Sequence, residues 1–366
     1  MDGPRTTSLH PRHVALNARM GAFAGWDMPL QYTSPRAEHM AVREASGVFD
    51  VSHMGQLEVA GPDARALLTR ALTNDIGQIG PGQGQYTLML ADDGGVIDDL
   101  IVYALIDRHL LVVNAGNVAA CFERLRALAE GAEVAVSNRS DEIAMLAVQG
   151  PAWRAAVGPL AATPQPLTLD FFEITEDQLG GVPALVARTG YTGEPGVEIM
   201  CPWAQAPRLW DALQATPAPP TPCGLVARDT LRTEMGYPLY GQELTLERTP
   251  VEAGLRWACD MGGAGFAGAE VVTAQAGAGT AERLCAFVLT EPGIPRPGLP
   301  VLQGDRRVGT VTSGTLSPVL ECGIGMAYVV RELTEVGTEL IIDVRGRHRA
   351  ARVVPRPMVD RSPRGD

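Results

Sequence analysis

The chain contains no lysine; all 30 of its basic residues are arginine. That absence excludes Schiff-base and pyridoxal-phosphate (PLP) chemistry, which runs through a lysine amine. It equally excludes a Walker-type phosphate loop and a lysine general base. Positive charge is scarce overall: the formal net charge is −12, so no basic face is expected and no nucleic acid is expected as a partner. No Gly-x-Gly-x-x-Gly pattern lies between a strand and a helix, which removes NAD and other dinucleotides, and no Gly-x-Ser-x-Gly elbow is present. The 6 cysteines are scattered without a Cys-x-x-Cys pair, and His10 and His13 have no third ligand nearby. Neither a disulfide frame nor a metal site is therefore expected. No apolar run approaches a membrane span, and Met1-Asp2-Gly3-Pro4 resembles neither a signal nor a transit peptide. The expectation is a bacterial cytoplasmic protein that uses no membrane.

What is present reads as an ordinary globular chain of 366 residues, 46% hydrophobic and 20% charged, long enough for two or three domains. Phe23 to Leu30 reads as an aromatic- and glycine-rich loop before a helix at about Ser34 to Ala45, with Ser34 as cap and Pro35 in the first turn. A strand at Gln56 to Val59 and a helix from Pro62 to Leu72 follow. Strand Leu110 to Asn114, helix Asn117 to Glu130, strand Ile143 to Gln149 and helix Ala152 to Leu160 continue the order. Strands near Phe171 to Thr175, Ala184 to Arg188 and Gly196 to Met200 precede helices Trp203 to Leu213 and Leu225 to Met235. This alternation predicts an α+β fold with antiparallel sheets rather than a doubly wound parallel one. Thr273 to Thr280, low in complexity, reads as a linker and the best domain boundary. Beyond it, five short β-runs predict a small antiparallel barrel or sandwich.

The most informative stretch is a predicted hairpin. Gln85 to Leu90 is β-rich, Asp92-Asp93-Gly94-Gly95 has turn chemistry, and Val96 to Leu105 returns. Asp98 and Asp99 interrupt that return strand and must face opposite sides of the sheet. A buried carboxylate is costly unless it is paired, hydrogen-bonded or functional, so either it caps a loop or meets an arginine, or it works. Glu198, between Val197 and Ile199, poses the same choice between an arginine partner and a ligand with paired N–H donors. Arg228 and Arg232 share a helix face, where the plain expectation is a surface ion-pair ladder with Asp229 and Glu234.

These pieces together resemble a known family, the T-protein of the glycine cleavage system, an aminomethyltransferase. The resemblance rests on Phe23-Ala24-Gly25-Trp26-x-Met28-Pro29-x-Gln31-Tyr32, Phe49-Asp50-Val51-Ser52-His53-Met54-Gly55 and Gly94-Gly95-Val96-Ile97-Asp98-Asp99. It is carried further by Arg188-Thr189-Gly190-Tyr191-Thr192-Gly193-Glu194-x-Gly196-Val197-Glu198, Ala227-Arg228-Asp229-x-Leu231-Arg232 and Thr249-Pro250-Val251-Glu252-Ala253-Gly254. Tyr240-Gly241 and Gly309 to Gly314 complete the series, in family order along almost the whole chain. The resemblance implies a three-domain cloverleaf: two interleaved α+β subdomains over residues 1–275 around a folate channel, and a C-terminal antiparallel β-barrel at 281–357. It implies transfer of a methylene group from the aminomethyl-dihydrolipoyl arm of H-protein to tetrahydrofolate, releasing ammonia and 5,10-methylene-tetrahydrofolate. H-protein is the implied, transient partner of a monomer or weak dimer. Catalysis falls on Asp99; the folate site falls on Met54, Tyr86, Tyr103, Val112, Asn114, Tyr191, Glu198, Arg228, Trp257 and Arg296. The chain ends without the aromatic tail of many relatives, leaving Arg361 as the candidate contact for the folate glutamate.

Two alternatives share the resemblance. One is another tetrahydrofolate-dependent demethylase of the same superfamily, acting on a small donor without H-protein. The other is a non-enzymatic folate-binding protein of iron–sulfur maintenance, whose cysteine ahead of Tyr240-Gly241-Gln242-Glu243 is missing here.

Overall fold

The structure, a computed structural model, describes residues 3–263 and 265–365; Met1 and Asp2, from which no leader was read, lie outside the described residues. The described strands form a three-stranded sheet, a six-stranded sheet, a five-stranded sheet and a closed six-stranded barrel. The fold is mixed α+β, and the chain weaves between its two larger sheets. Gly47–Asp50 enters the six-stranded sheet, and the chain then leaves to build all of the five-stranded one from Gly55–Ala60 to Ala135–Asn138. It returns with Ile143–Gln149, which pairs antiparallel to Gly47–Asp50.

Local chemistry explains the element ends. Ser34 caps the helix Pro35–Glu44 by accepting from the Ala37 amide at 3.2 Å. The helix Leu225–Met235 stops at Gly236, whose φ of 67° is the left-handed conformation that glycine adopts without strain. Alternation in the strands separates two cores. Leu57, Leu111 and Val113 meet Leu67 and Leu68 of the helix Ala64–Ala71 on one side of the five-stranded sheet. On the other side Tyr103, Leu110 and Val112 meet Phe49, Met145, Ala147 and Ala187 of the six-stranded sheet. The site described below lies on that shared face.

Several expectations need correction. Phe23 to Leu30 is not a loop: Arg19–Phe23 and Trp26–Gln31 form a hairpin turning at Ala24 and Gly25. The stretch expected as a linker lies mostly in the helix Ala269–Ala278, because alanine-rich sequence favours helix and Gly279 ends it. Ala152 to Leu160 holds only a short helix, Trp153–Val157, before Gly158 and Pro159 divert it into a 3₁₀ turn. The C-terminal runs gain a sixth strand, Pro300–Gln303, and close as a barrel in which every neighbouring pair is antiparallel. Phe287, Val301, Val311, Val329, Ile342 and Val353 fill its interior.

Candidate active site

The site begins with register. Leu88 pairs with Asp99, Tyr86 with Ile101, and Ile101 with Val112, so Tyr86, Asp99, Ile101, Tyr103, Val112 and Asn114 share one sheet face. Gly84 lies opposite Tyr103, and a Cβ there would sit 2.5 Å from the tyrosine ring, so glycine leaves room for that ring to lie against the strand.

Asp98 and Asp99 do divide between the faces. Asp98 is fully buried and caps the turn into the next helix. It accepts from the Asn114 amide nitrogen at 2.9 Å, Asn114 Nδ2 at 2.8 Å and Asn117 Nδ2 at 2.7 Å. Asp99 is half-buried, accepting from Tyr86 Oη at 3.0 Å and Asn114 Nδ2 at 2.9 Å. Among the described residues neither carboxylate makes an ion pair. Burial pushes the Asp98 carboxyl up, and the neighbouring Asp99 charge adds to it. Burial also raises Asp99, against the hydrogen bonds from Tyr86 and Asn114 that favour its charged form.

The opposing wall comes from the six-stranded sheet. Glu198 is buried in the row with Ala147 and Ala187, and its Oε2 accepts from Thr189 Oγ1 at 2.6 Å. Thr189 Oγ1 lies 2.9 Å from Tyr103 Oη, joining the two sheets. Arg228 projects from the helix Leu225–Met235 with its guanidinium carbon 5.1 Å from the Tyr191 ring centre. Its Nη1 is buried without a hydrogen-bond partner among the described residues. Burial lowers its affinity for its proton while the Glu198 charge opposes that. Such an unsatisfied donor close to a buried glutamate is chemistry awaiting an acceptor.

Met54 packs with Val112 in the apolar cluster beneath these groups. Tyr191 stacks on Tyr237 at 5.8 Å and donates its hydroxyl to the Pro238 carbonyl. At the rim Trp257, 67% exposed, stacks on Tyr86 with ring centres 5.4 Å apart. The structure thus joins ten of the expected residues (Met54, Tyr86, Asp99, Tyr103, Val112, Asn114, Tyr191, Glu198, Arg228 and Trp257) around one lined face. Arg296 stands apart: it is exposed and donates to the Gly314 carbonyl at 3.3 Å, with no described contact to the others. Arg361 lies 3.4 Å from Glu194.

Two readings of the sequence fall short here. The surface ladder on the arginine helix forms only in part: Arg232 pairs with Asp229 as expected, but it is 2% exposed and also held by Glu243, while Glu234 pairs with Arg43. Thr189, Asn117 and Glu243 were given no role, though each holds a site residue or a neighbour of one. Asn114-x-x-Asn117 just before a helix was the available signal, because asparagine side chains bind nearby turn and cap groups.

With this geometry in view, comparison with known proteins is informative. Residues 9–263 match the family described as the GCVT N-terminal domain, and residues 282–360 match the glycine cleavage T-protein C-terminal barrel domain. Curated relatives named aminomethyltransferase include those of Parafrankia sp. strain EAN1pec, 46% identical over 98% of this chain and 99% of the relative, and Mycobacterium tuberculosis strain H37Rv, 44% identical over 96% of each. The crystal structure of glycine cleavage system aminomethyltransferase T from Bartonella henselae superposes with a TM-score of 0.92 at 34% identity, covering 98% of this chain and 99% of that one. The chain therefore belongs to the glycine cleavage T-protein family of aminomethyltransferases.

Proposed function

We propose that this chain moves a methylene group from the S-aminomethyl-dihydrolipoyl arm of H-protein to tetrahydrofolate. In balance, R–S–CH₂–NH₃⁺ and tetrahydrofolate give R–SH, NH₄⁺ and 5,10-methylene-tetrahydrofolate; the carbon loses its bonds to sulfur and to the amine nitrogen and gains bonds to N5 and N10. The observation that carries the proposal is Asp99: a half-buried carboxylate on a lined face, held by Tyr86 and Asn114, with no cation bonded to it among the described residues. Positive charge develops on the carbon as the amine departs. A fixed carboxylate in a low-dielectric site stabilises that charge in the transition state more than in the ground state. The raised proton affinity that burial gives Asp99 also suits it to carry a proton between the folate nitrogens and the leaving amine.

The other residues orient folate. Glu198 accepts from the paired N–H edge of the pterin, in the manner of a carboxylate that has lost its water. Arg228, whose Nη1 has no partner among the described residues, would offer it to an acceptor on the ligand. Tyr86, Tyr191 and Met54 supply flat and thioether walls for the ring, with Tyr103, Val112 and Asn114 beside them and Trp257 at the rim. Arg296 belongs to the set by resemblance alone. In this reading residues 1–275 bind folate in a central channel and residues 281–357 form the barrel domain. H-protein docks transiently on a protein that works as a monomer or weak dimer in the bacterial cytoplasm.

The test is tetrahydrofolate-dependent ammonia release from aminomethylated lipoyl carrier, run beside free small thioether and amine donors. Carrier-specific release supports the proposal. Turnover of small donors without a carrier would make the protein a demethylase of the same superfamily, and folate binding without any turnover would make it a binding protein.

A further inference from the structure

Asn114 holds an arrangement that the transfer reaction alone does not require. Its Nδ2 lies 2.8 Å from Asp98 Oδ1, 2.9 Å from Asp99 Oδ1 and 3.0 Å from the Asp99 carbonyl. One amide with two hydrogens thus faces two carboxylates on opposite sides of a strand. The fully buried Asp98 fixes that amide firmly, since it also binds the Asn114 backbone nitrogen at 2.9 Å and Asn117 Nδ2 at 2.7 Å, with Cys121 Sγ at 3.6 Å.

We propose, building on the function assigned above, that Asp98 is a positioning residue: through Asn114 it aims the Asp99 carboxylate and presses on it as a paired like charge. Two carboxylates bridged by a neutral donor titrate as one system, and each makes the other's ionisation harder. A capping carboxylate needed only for stability would be served as well by a compensating cation, and the described residues give Asp98 none.

The groups around the pair are mostly neutral. Tyr86 donates to Asp99 from the neighbouring strand, and Cys121 touches Asp98 from the helix Val118–Leu128. Burial raises both, so both are neutral near neutral pH. Tyr191 and Tyr240, each raised first by burial, are neutral as well. Glu243 adds negative charge toward Asp99, and the nearby Arg232 is already taken by Glu243 and Asp229. Among the described residues, charge repulsion within the pair therefore goes unanswered by any bonded cation.

The test uses the full chain labelled with ¹³C at the aspartate carboxyls, Asp99 being assigned by the signal missing from Asp99→Asn. In the wild type, Asp99 is expected to titrate above the ordinary carboxyl range; in Asp98→Asn its midpoint falls by about one pH unit. The acid limb of kcat should fall with it, while tetrahydrofolate KM changes less than threefold. An Asp99 midpoint unmoved or raised in a folded Asp98→Asn protein overturns the proposal. Should Asp98→Asn fail to fold, because its new amide would face the Asn114 N–H, Asp98→Ser decides, since its hydroxyl can still accept from Asn114 without a charge. Its Asp99 midpoint should fall likewise, and an unmoved or raised midpoint overturns the proposal. The titration needs no substrate, so it stands apart from the functional assignment, which fails on its own if the wild type releases no ammonia.

Discussion

Two groups of buried acids lie in this molecule, and they are treated in opposite ways. At the junction of the first region with the barrel, Glu234 is fully buried and saturated with partners. Arg43 donates to it at 2.7 Å, His39 Nε2 lies 3.1 Å away, and Ser317 of the barrel donates to its other oxygen. The same arginine reaches Glu194 at 3.0 Å and the Thr192 carbonyl at 2.7 Å, and the Met358 amide of the C-terminal tail donates to the Glu234 carbonyl at 2.8 Å. Burial alone would raise Glu234; hydrogen bonding and charge from His39, then Arg43, hold it at about 2. Asp98 and Asp99, by contrast, have only neutral donors among the described residues, and both are raised. The difference separates glue from chemistry. A carboxylate that ties parts together is neutralised by a bonded cation; the one proposed to meet a cationic carbon has none bonded to it among the described residues.

The comparison can be broken at its strongest point first. Arg43→Ala leaves the buried Glu234 without its arginine and Glu194 with Arg361 alone, and unfolding free energy should fall by about 3–5 kcal/mol. Urea melts measure this, and the folded fraction should keep its transfer activity. Glu198→Ala should weaken tetrahydrofolate binding about 10–100-fold, since hydrogen bonds to a charged group contribute ~1.5–3 kcal/mol. Calorimetric titration reads that loss, and unchanged affinity would remove Glu198 from the folate site. Trp257→Ala removes an exposed stacking partner and should cost about two- to tenfold in folate affinity. Its melting curve should stay within ~0.5 kcal/mol of the parent.

Stability against pH sharpens the contrast with the smallest signal. Glu234 has its folded value depressed, so its contribution is present above the unfolded value of ~4.3 and is lost as pH falls toward about 2. Asp99 is raised, so the folded state holds its proton more tightly than the unfolded chain. Its ionisation erodes stability as pH rises from ~3.9 through the raised folded value. In Asp99→Asn, urea melts between pH 4 and 6 should therefore show a less negative slope of stability with pH than the wild type.

How far these features were legible depended on the range of the contacts that make them. Ile143–Gln149 and Leu225–Met235 match their expected bounds because periodicity and a terminal glycine act within a few residues. The hairpin at Ala24-Gly25 was obscured by Pro29 and by glycine-rich composition that imitates a loop. The helix Ala269–Ala278 was hidden by a run of small residues with little apolar periodicity. In the site, adjacent Asp98 and Asp99 announced an unusual strand, and register placed Tyr86 and Val112 beside it. The bond from Arg43 to Glu234 crosses 191 residues, and no local pattern shows it. Likewise, Arg232 reads as a surface charge on its own helix but is buried, bonded to Glu243 and to the barrel's Ser313.

If Asp99 serves the reaction rather than the fold, single-turnover methylene transfer in Asp99→Asn will show it. With tetrahydrofolate bound and aminomethylated carrier in excess, the rate should lie about 10²–10⁴ below wild type, with folate affinity and melting temperature nearly unchanged. Transfer within a few-fold of wild type would contradict it, and so would a protein that loses folate and stability together with its rate.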